Sequence, residues 1–297
     1  MSNKPHDFEA YWDGVLAELA ALPMAAELTE LPIRSNEHGR VYGVKLTSIG
    51  PYRIFGYYGV PHGDGPFPAV VQMPRYGSVN HVPSYEIRQS YAVLQLCHRG
   101  QRLSDVPYAA AYPGLLTDGI DDPATYIYRG IVADCVRALE FMQSRAEVKP
   151  GHITVTGNEL GLIATALRGN VDHLVMSPDL FYCAAEIAPT TSGYPLEEYN
   201  DYTRFAADKA SAAWNTVSYF EPLHFAPRVK ANTLLVTGNE QDLFTPTHCA
   251  PLATTLGGPV EQRIATHSSY QDGAFEATWV GKQNGFDAPV LPDHWMP

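Results

Sequence analysis

Apolar residues open the chain at helical spacing: Phe8, Tyr11, Trp12, Val15, Leu16, Leu19 and Leu22. That three-and-four rhythm predicts an amphipathic helix over 8–22 with one covered face. Extended apolar stretches follow at Val41–Leu46, Ile54–Val60, Ala69–Gln72 and Ala92–Leu96. From Arg99 to Tyr128 the pattern breaks into Asp, Pro, Gly and Tyr, and a loop of that length within a compact domain is functional or an interface. Helical spacing resumes near Tyr128, with Ile131, Val132, Cys135, Val136, Leu139 and Met142 on one side. It leads into the apolar run Ile153–Thr156 and a second helix through Leu162–Leu167. Strands alternating with helices predict an α/β fold, a mostly parallel sheet with helices on both faces.

Val155-Thr156-Gly157-Asn158-Glu159 is echoed by Val236-Thr237-Gly238-Asn239-Glu240. Two parallel strands ending in similar turns account for the echo without a domain repeat, and function sits at such carboxyl ends. No low-complexity linker divides the chain, so one domain over 1–297 is expected. It would carry the 8–22 helix in front and an irregular tail over 280–297, where helical periodicity is lost and Trp295 docks on its own domain or on a neighbouring subunit.

Composition narrows the function classes. Hydrophobic residues make up 45% and charged residues 18% of the 297 positions, which suits a compact enzyme better than a flexible adaptor. The formal net charge is −12 and no Lys/Arg cluster appears, which argues against nucleic-acid binding. Cys97, Cys135, Cys183 and Cys249 are widely spaced with no CxxC pair and read as reduced, buried thiols. The N-terminus lacks a secretory h-region, and no apolar run reaches the ~18 residues of a membrane span. A cytoplasmic, soluble protein is expected.

The chemistry concentrates at Gly157-Asn158-Glu159-Leu160-Gly161. A strand, a glycine-flanked turn and a helix make the nucleophile elbow of α/β-hydrolases, with Ser at the centre. Here Glu159 occupies that position, which excludes ordinary serine-esterase chemistry from it. Downstream, Asp242 follows the strand Leu234–Thr237, and His267 ends the segment Arg263-Ile264-Ala265-Thr266-His267. Alone, these are an exposed turn Asp and a surface His. In the order nucleophile, acid, His they read as a pair in which the carboxylate fixes the imidazole.

The chain resembles the acetyl xylan esterase/cephalosporin C deacetylase group of α/β-hydrolases, from the 8–22 helix to about His267. The specific matches are Arg99-Gly100-Gln101, Tyr112-Pro113-Gly114, the run Gly119-Ile120-Asp121-Asp122-Pro123 to Gly130, and Ser218-Tyr219-Phe220 with Phe225-Ala226-Pro227-Arg228-Val229. The resemblance implies that the Tyr76 backbone N–H and that of Leu160 form an oxyanion hole. It also implies a small acetylated sugar or cephalosporin as substrate, no metal or other cofactor, and a homo-oligomer, frequently a ring-like hexamer. The departures cluster at the chemistry. Glu159 replaces Ser, Leu160-Gly161-Leu162 replaces Gln-Gly-Gly, Pro74-Arg75 replaces His-Gly, Cys97-His98 stands where an acidic residue precedes the RGQ, and Ser268 follows His267 where Glu is usual.

Several roles stay open for Glu159. It is a carboxylate nucleophile attacking a carbon electrophile, with a His-activated water completing hydrolysis. It is a general acid/base facing His267 in a lyase-, isomerase- or cyclase-like reaction, with Arg75 orienting an anionic substrate or simply paired to Glu159. It is a helix N-terminal residue of an inactive pseudo-esterase that binds or assembles. A metal site with Asp242 and His267 is the remaining arrangement. Cys97 reads as a buried thiol and His98 as a pocket-lining residue, beside Gln101. The reading overall is a hydrolase or lyase-like relative using Glu159 with the His267–Asp242 pair. Its substrate would be a small neutral or anionic molecule entering beneath the Tyr-rich loop.

Overall fold

Alternate residues of the central strands face different cores, and this sorts the whole chain into layers. Val71, Val155, Leu174 and Leu235 join the larger cluster, while Val70, Val175, Leu234 and Val236 join a second. The structure is a computed structural model that describes residues 3–291. Its strands are β1 (Glu27–Glu30), β2 (Gly39–Ser48), β3 (Tyr52–Pro61), β4 (Phe67–Gln72), β5 (Ala92–Cys97), β6 (Val148–Gly157), β7 (His173–Met176), β8 (Asn232–Thr237) and β9 (Val260–Ile264). They form one sheet in the order β1-β2-β3-β5-β4-β6-β7-β8-β9. β1, β2 and β3 pair antiparallel and β3 pairs antiparallel with β5, and from β5 to β9 every pairing is parallel.

The helices are α1 (Phe8–Ala20), α2 (Ile87–Ser90), α3 (Ile127–Gln143), α4 (Glu159–Arg168), α5 (Ala184–Ile187), α6 (Glu197–Phe205), α7 (Ala210–Ser218), α8 (Pro246–Thr255) and α9 (Ser269–Gln283). α1, α3 and α4 contribute to the larger core; Trp279 and Val280 of α9 close the second. This is the α/β-hydrolase arrangement, helices on both faces of a mostly parallel sheet.

α1 buries Phe8, Trp12, Val15 and Leu19, and Trp12 Nε1 donates to the Tyr219 carbonyl at 3.0 Å. It stops at Ala20, short of Leu22, because Leu22 precedes Pro23 and a residue before proline disfavours helical backbone. The 99–128 loop is pinned at its start. The Arg99 guanidinium donates Nε to Asp134 Oδ2 at 3.0 Å and Nη2 to Oδ1 at 2.8 Å, with Asp134 wholly buried on α3. Gly130 makes room for that guanidinium, since a Cβ there would meet Arg99 Nη1 at 2.3 Å.

At the other end, helix continues where none was expected. α9 runs to Gln283, so residues 280–283 of the expected irregular tail are helical. Trp279 and Val280 bury against the sheet, and Asn284 anchors the exit through Nδ2 to Thr154 Oγ1 at 3.2 Å. Trp295 lies outside the described residues. The four cysteines are free thiols, Cys97, Cys135 and Cys249 buried and Cys183 half-buried. Among the described residues no helix is long and apolar enough to cross a membrane.

Candidate functional site

The strand order places the site. After β4 the chain adds β5 on one side and then returns to add β6 on the other, so the order reverses between β4 and β6. Open α/β sheets bind ligands at that reversal, outside the carboxyl ends of the strands. Arg75 and Tyr76 follow β4, the Gly157–Gly161 turn follows β6, Asp242 follows β8 and His267 follows β9.

The turn after β6 needs glycine at its first position: Gly157 has φ +156° and a Cβ there would press on Met73 Cβ at 3.0 Å. Asn158 then caps α4, its Oδ1 accepting from Leu160 N–H at 3.0 Å. Asn239 makes the same turn after β8, its Oδ1 accepting from Gln241 N–H at 2.8 Å. The sequence echo is therefore a repeated Asn turn. Its consequence at the first copy is that the Leu160 N–H, the expected oxyanion donor, is already engaged.

Glu159 is the first residue of α4 and its side chain is wholly buried. It does not adopt a positive φ; among described non-glycine residues only Ala25, Arg102, Asn170, Cys183 and His267 do. Glu159 Oε1 accepts backbone N–H groups from Asp179, Leu180, Phe181 and Tyr182 at 2.8, 2.9, 3.1 and 3.3 Å. Successive N–H groups converging on one oxygen form an anion nest, filled here by a side chain of the same protein. The next N–H, from Cys183, goes to the buried Glu221 at 3.0 Å. Burial pushes the Glu159 carboxyl above its ordinary range, the Asp179 carboxylate adds to this, and the backbone donors oppose it. Glu159 Oε2 is buried with no hydrogen-bond partner.

Asp242 and His267 meet: His267 Nε2 lies 2.9 Å from Asp242 Oδ2. Gly238 is required beneath this contact, because a Cβ there would collide with Asp242 Cβ at 2.3 Å. Asn239 Nδ2 also lies 2.9 Å from the same His267 nitrogen. One nitrogen cannot donate to the carboxylate and accept from the amide at once, so Nε2 serves one of them at a time. In a Ser-His-Asp arrangement the acid holds Nδ1 and Nε2 faces the nucleophile. Here Nε2 is occupied and Nδ1 is left for water or substrate. The imidazole is 57% exposed and sits at φ +59°, a conformation that non-glycine residues hold only when their surroundings enforce it. Asp272 supplies that enforcement, accepting from Thr266 N–H at 3.0 Å and Thr266 Oγ1 at 2.9 Å. Among the described residues Glu159 makes no hydrogen bond to His267, and no group of His, Cys, Asp and Glu is arranged to hold a metal ion.

Arg75 is exposed and forms no ion pair with Glu159 among the described residues. Its charge instead lowers the buried-raised carboxyls of Asp179 and Glu276. Tyr76 stacks edge-on against Tyr112 at 5.2 Å, and Gln101 Nε2 donates to the Tyr112 hydroxyl at 2.9 Å. The Tyr76 hydroxyl and Gln101 Oε1 are buried without partners. His98 is buried, its Nδ1–H donating to the Arg99 carbonyl at 2.5 Å, and burial holds its pKa down at about 4. Cys97 is buried too, with its thiol pushed up to about 12.

Sequence reasoning missed Asp179, Asn239, Asp272 and Glu276. Asn239 had a signal, being the counterpart of Asn158 in the echoed turn. The others approach the site only through folding, from the loop after β7 and from α9.

The acetyl xylan esterase (AXE1) family model matches residues 1–256. Acetyl esterase Axe7A of Xylanibacter ruminicola is 21% identical over 304 residues, covering 95% of this chain and 68% of that protein. The acetyl xylan esterase from Paenibacillus sp. R4 superposes with a TM-score of 0.82 at 25% identity, over 95% of this chain and 96% of that one. Acetyl xylan esterase 1 from Thermoanaerobacterium sp. JW/SL YS485 gives a TM-score of 0.81 at 18% identity, over 95% of each chain, a likeness of fold. These relatives are hydrolases of the α/β-hydrolase superfamily.

Proposed function

The chain belongs to the acetyl xylan esterase family, and we propose that it is a hydrolase of small esters that forms no covalent intermediate at its elbow. One observation carries this reading: the Glu159 side chain is wholly buried and its Oε1 is spent on four backbone N–H groups. A nucleophile or a general acid must reach the reacting atoms, and Glu159 reaches the 179–182 loop instead. Its carboxylate is a structural clamp that stands where relatives with Ser keep their nucleophile.

The solvent-facing His267–Asp242 pair is left to do chemistry. His267 Nδ1 takes a proton from water, the resulting hydroxide adds to the ester carbonyl, and the alcohol departs with the proton returned by the imidazolium. Asp242 stabilises that imidazolium through Nε2–H. Acetyl esters are the proposed substrate class, by likeness to the acetyl esterase and acetyl xylan esterase relatives. With the Leu160 N–H engaged, one oxyanion donor is missing, which costs roughly a hundred- to a thousandfold in turnover. That engagement also favours a second reading, an inactive family member acting in binding or assembly. The chain is proposed as one domain that self-associates, with Phe205 at 96% and Ile33 at 93% exposure as apolar contacts available to a second copy.

The test is p-nitrophenyl acetate hydrolysis followed from the first turnover. Slow turnover without a burst, retained in Glu159→Gln and lost in His267→Ala, supports the proposal. A burst, or loss confined to a folded Glu159→Gln, overturns it. No turnover by the unaltered protein moves the binding reading ahead. Light scattering reads the assembly.

A further inference from the structure

On the α9 face of the sheet, opposite the side that buries Glu159, lies a cavity of about 350 Å³ between β4, β6, β7, α2 and α9. That is the lower end of the volume range of small-molecule sites. Its polar wall is Arg75, Glu276, Gln72, Ser84 and Thr156. Its apolar wall is Val70, Tyr91, Val175 and Val280. The hydrolytic pair does not line it.

Arg75 and Glu276 sense each other's charge, yet among the described residues they form no ion pair. Two opposite charges therefore line one partly desolvated space without joining. Burial raises the Glu276 carboxyl, as does Asp272 nearby, while Arg75 opposes them. Arg75 is also the cation that Asp179 feels. The lining itself carries one guanidinium, Arg75, and one carboxylate, Glu276, so a simple anion or a simple cation would answer only one of the two. A neutral polyol would leave both charges unpaired on binding, which is costly once water is excluded. A zwitterion satisfies both. Gln95 Nε2 donates to Gln72 Oε1 at 3.0 Å, which leaves the Gln72 amide nitrogen as a donor at the wall.

We propose that this cavity binds a small apolar α-amino acid, its carboxylate on Arg75 and Gln72, its ammonium on Glu276, and its side chain among Val70, Tyr91, Val175 and Val280. A guanidinium grips a carboxylate through two parallel hydrogen bonds, and the valine-lined wall selects against polar side chains. The inference is independent of how, or whether, residue 159 takes part in hydrolysis.

Isothermal titration calorimetry on the full chain tests it with L-leucine, N-acetyl-L-leucine, L-leucinamide and D-glucose. L-leucine is expected to bind, and the analogues lacking a free ammonium or a carboxylate to bind at least tenfold more weakly. Arg75→Gln should weaken L-leucine tenfold and leave L-leucinamide unchanged; Glu276→Gln should weaken L-leucine and leave N-acetyl-L-leucine unchanged. Unaltered melting temperatures certify that the variants fold. Absence of L-leucine binding up to about 10 mM, equal binding of N-acetyl-L-leucine, or tighter binding of glucose would each overturn the proposal.

Discussion

Glu159 Oε1 receives the Leu180 backbone N–H at 2.9 Å, joining the start of α4 to the loop that leaves β7. With three neighbouring N–H groups on the same oxygen, this contact makes the elbow residue part of the scaffold. A carboxylate in such a nest is held by hydrogen bonds to charge, individually worth roughly 1.5–3 kcal/mol.

Putting Ser in place of Glu159 should therefore not restore a family esterase. Glu159→Ser strips the 179–182 loop of its acceptor, and the Leu160 N–H stays bound to Asn158. The single variant is expected to show no acyl-enzyme burst with p-nitrophenyl acetate. Asn158→Ala with Glu159→Ser frees that N–H at a capping cost of about 1 kcal/mol and should exceed the single variant in rate. Stopped-flow absorbance distinguishes them; a full burst from the single variant contradicts this prediction.

Acid stability carries opposing contributions. His98 is held at about 4 in the fold against an ordinary 6.5. Above 6.5 it is neutral in both states; as pH falls from 6.5 towards 4 the unfolded chain takes the proton first and stability is lost, by about 3 kcal/mol. Glu159 has the other sign. Its folded carboxyl is raised above 4.5, so its contribution is complete below 4.5 and shrinks as pH rises through the folded value. Urea denaturation against pH should show a shallower loss between 6.5 and 4 in His98→Gln, and an unchanged slope would refute the assignment.

The Arg99–Asp134 pair should dominate the stability of the long loop. Removing one member leaves a buried charge unpaired, so Asp134→Asn is expected to cost about 3–5 kcal/mol. Gly130→Ala should also destabilise, because its methyl meets the Arg99 guanidinium. Melting temperatures of both variants check this; changes near zero would place the loop's anchor elsewhere.

The layers were legible because each rests on local periodicity. α1, α3 and the strands β2 to β6 announce themselves through spacing, and Asp242 and His267 through their order after apolar runs. α9 was not legible: its covered residues Trp279, Val280 and Gly281 sit at one end of a helix with several polar positions, so its apolar face is short. Glu159 was legible as a substitution and not as a clamp. Its partners are backbone N–H groups about twenty residues away, and backbone donors leave no mark in a sequence. Arg75 was singled out for Glu159, but its electrostatic partners Asp179 and Glu276 come from the loop after β7 and from α9.

Equilibrium urea denaturation of the unaltered protein, Glu159→Gln and Glu159→Ala tests the clamp most directly. Ala, which orphans buried N–H groups, is expected to lose about 3 kcal/mol or more, and Gln, which keeps one acceptor oxygen, to lose less. If both variants stay within about 0.5 kcal/mol of the unaltered protein, Glu159 is not holding the loop, and a chemical role for its carboxylate returns.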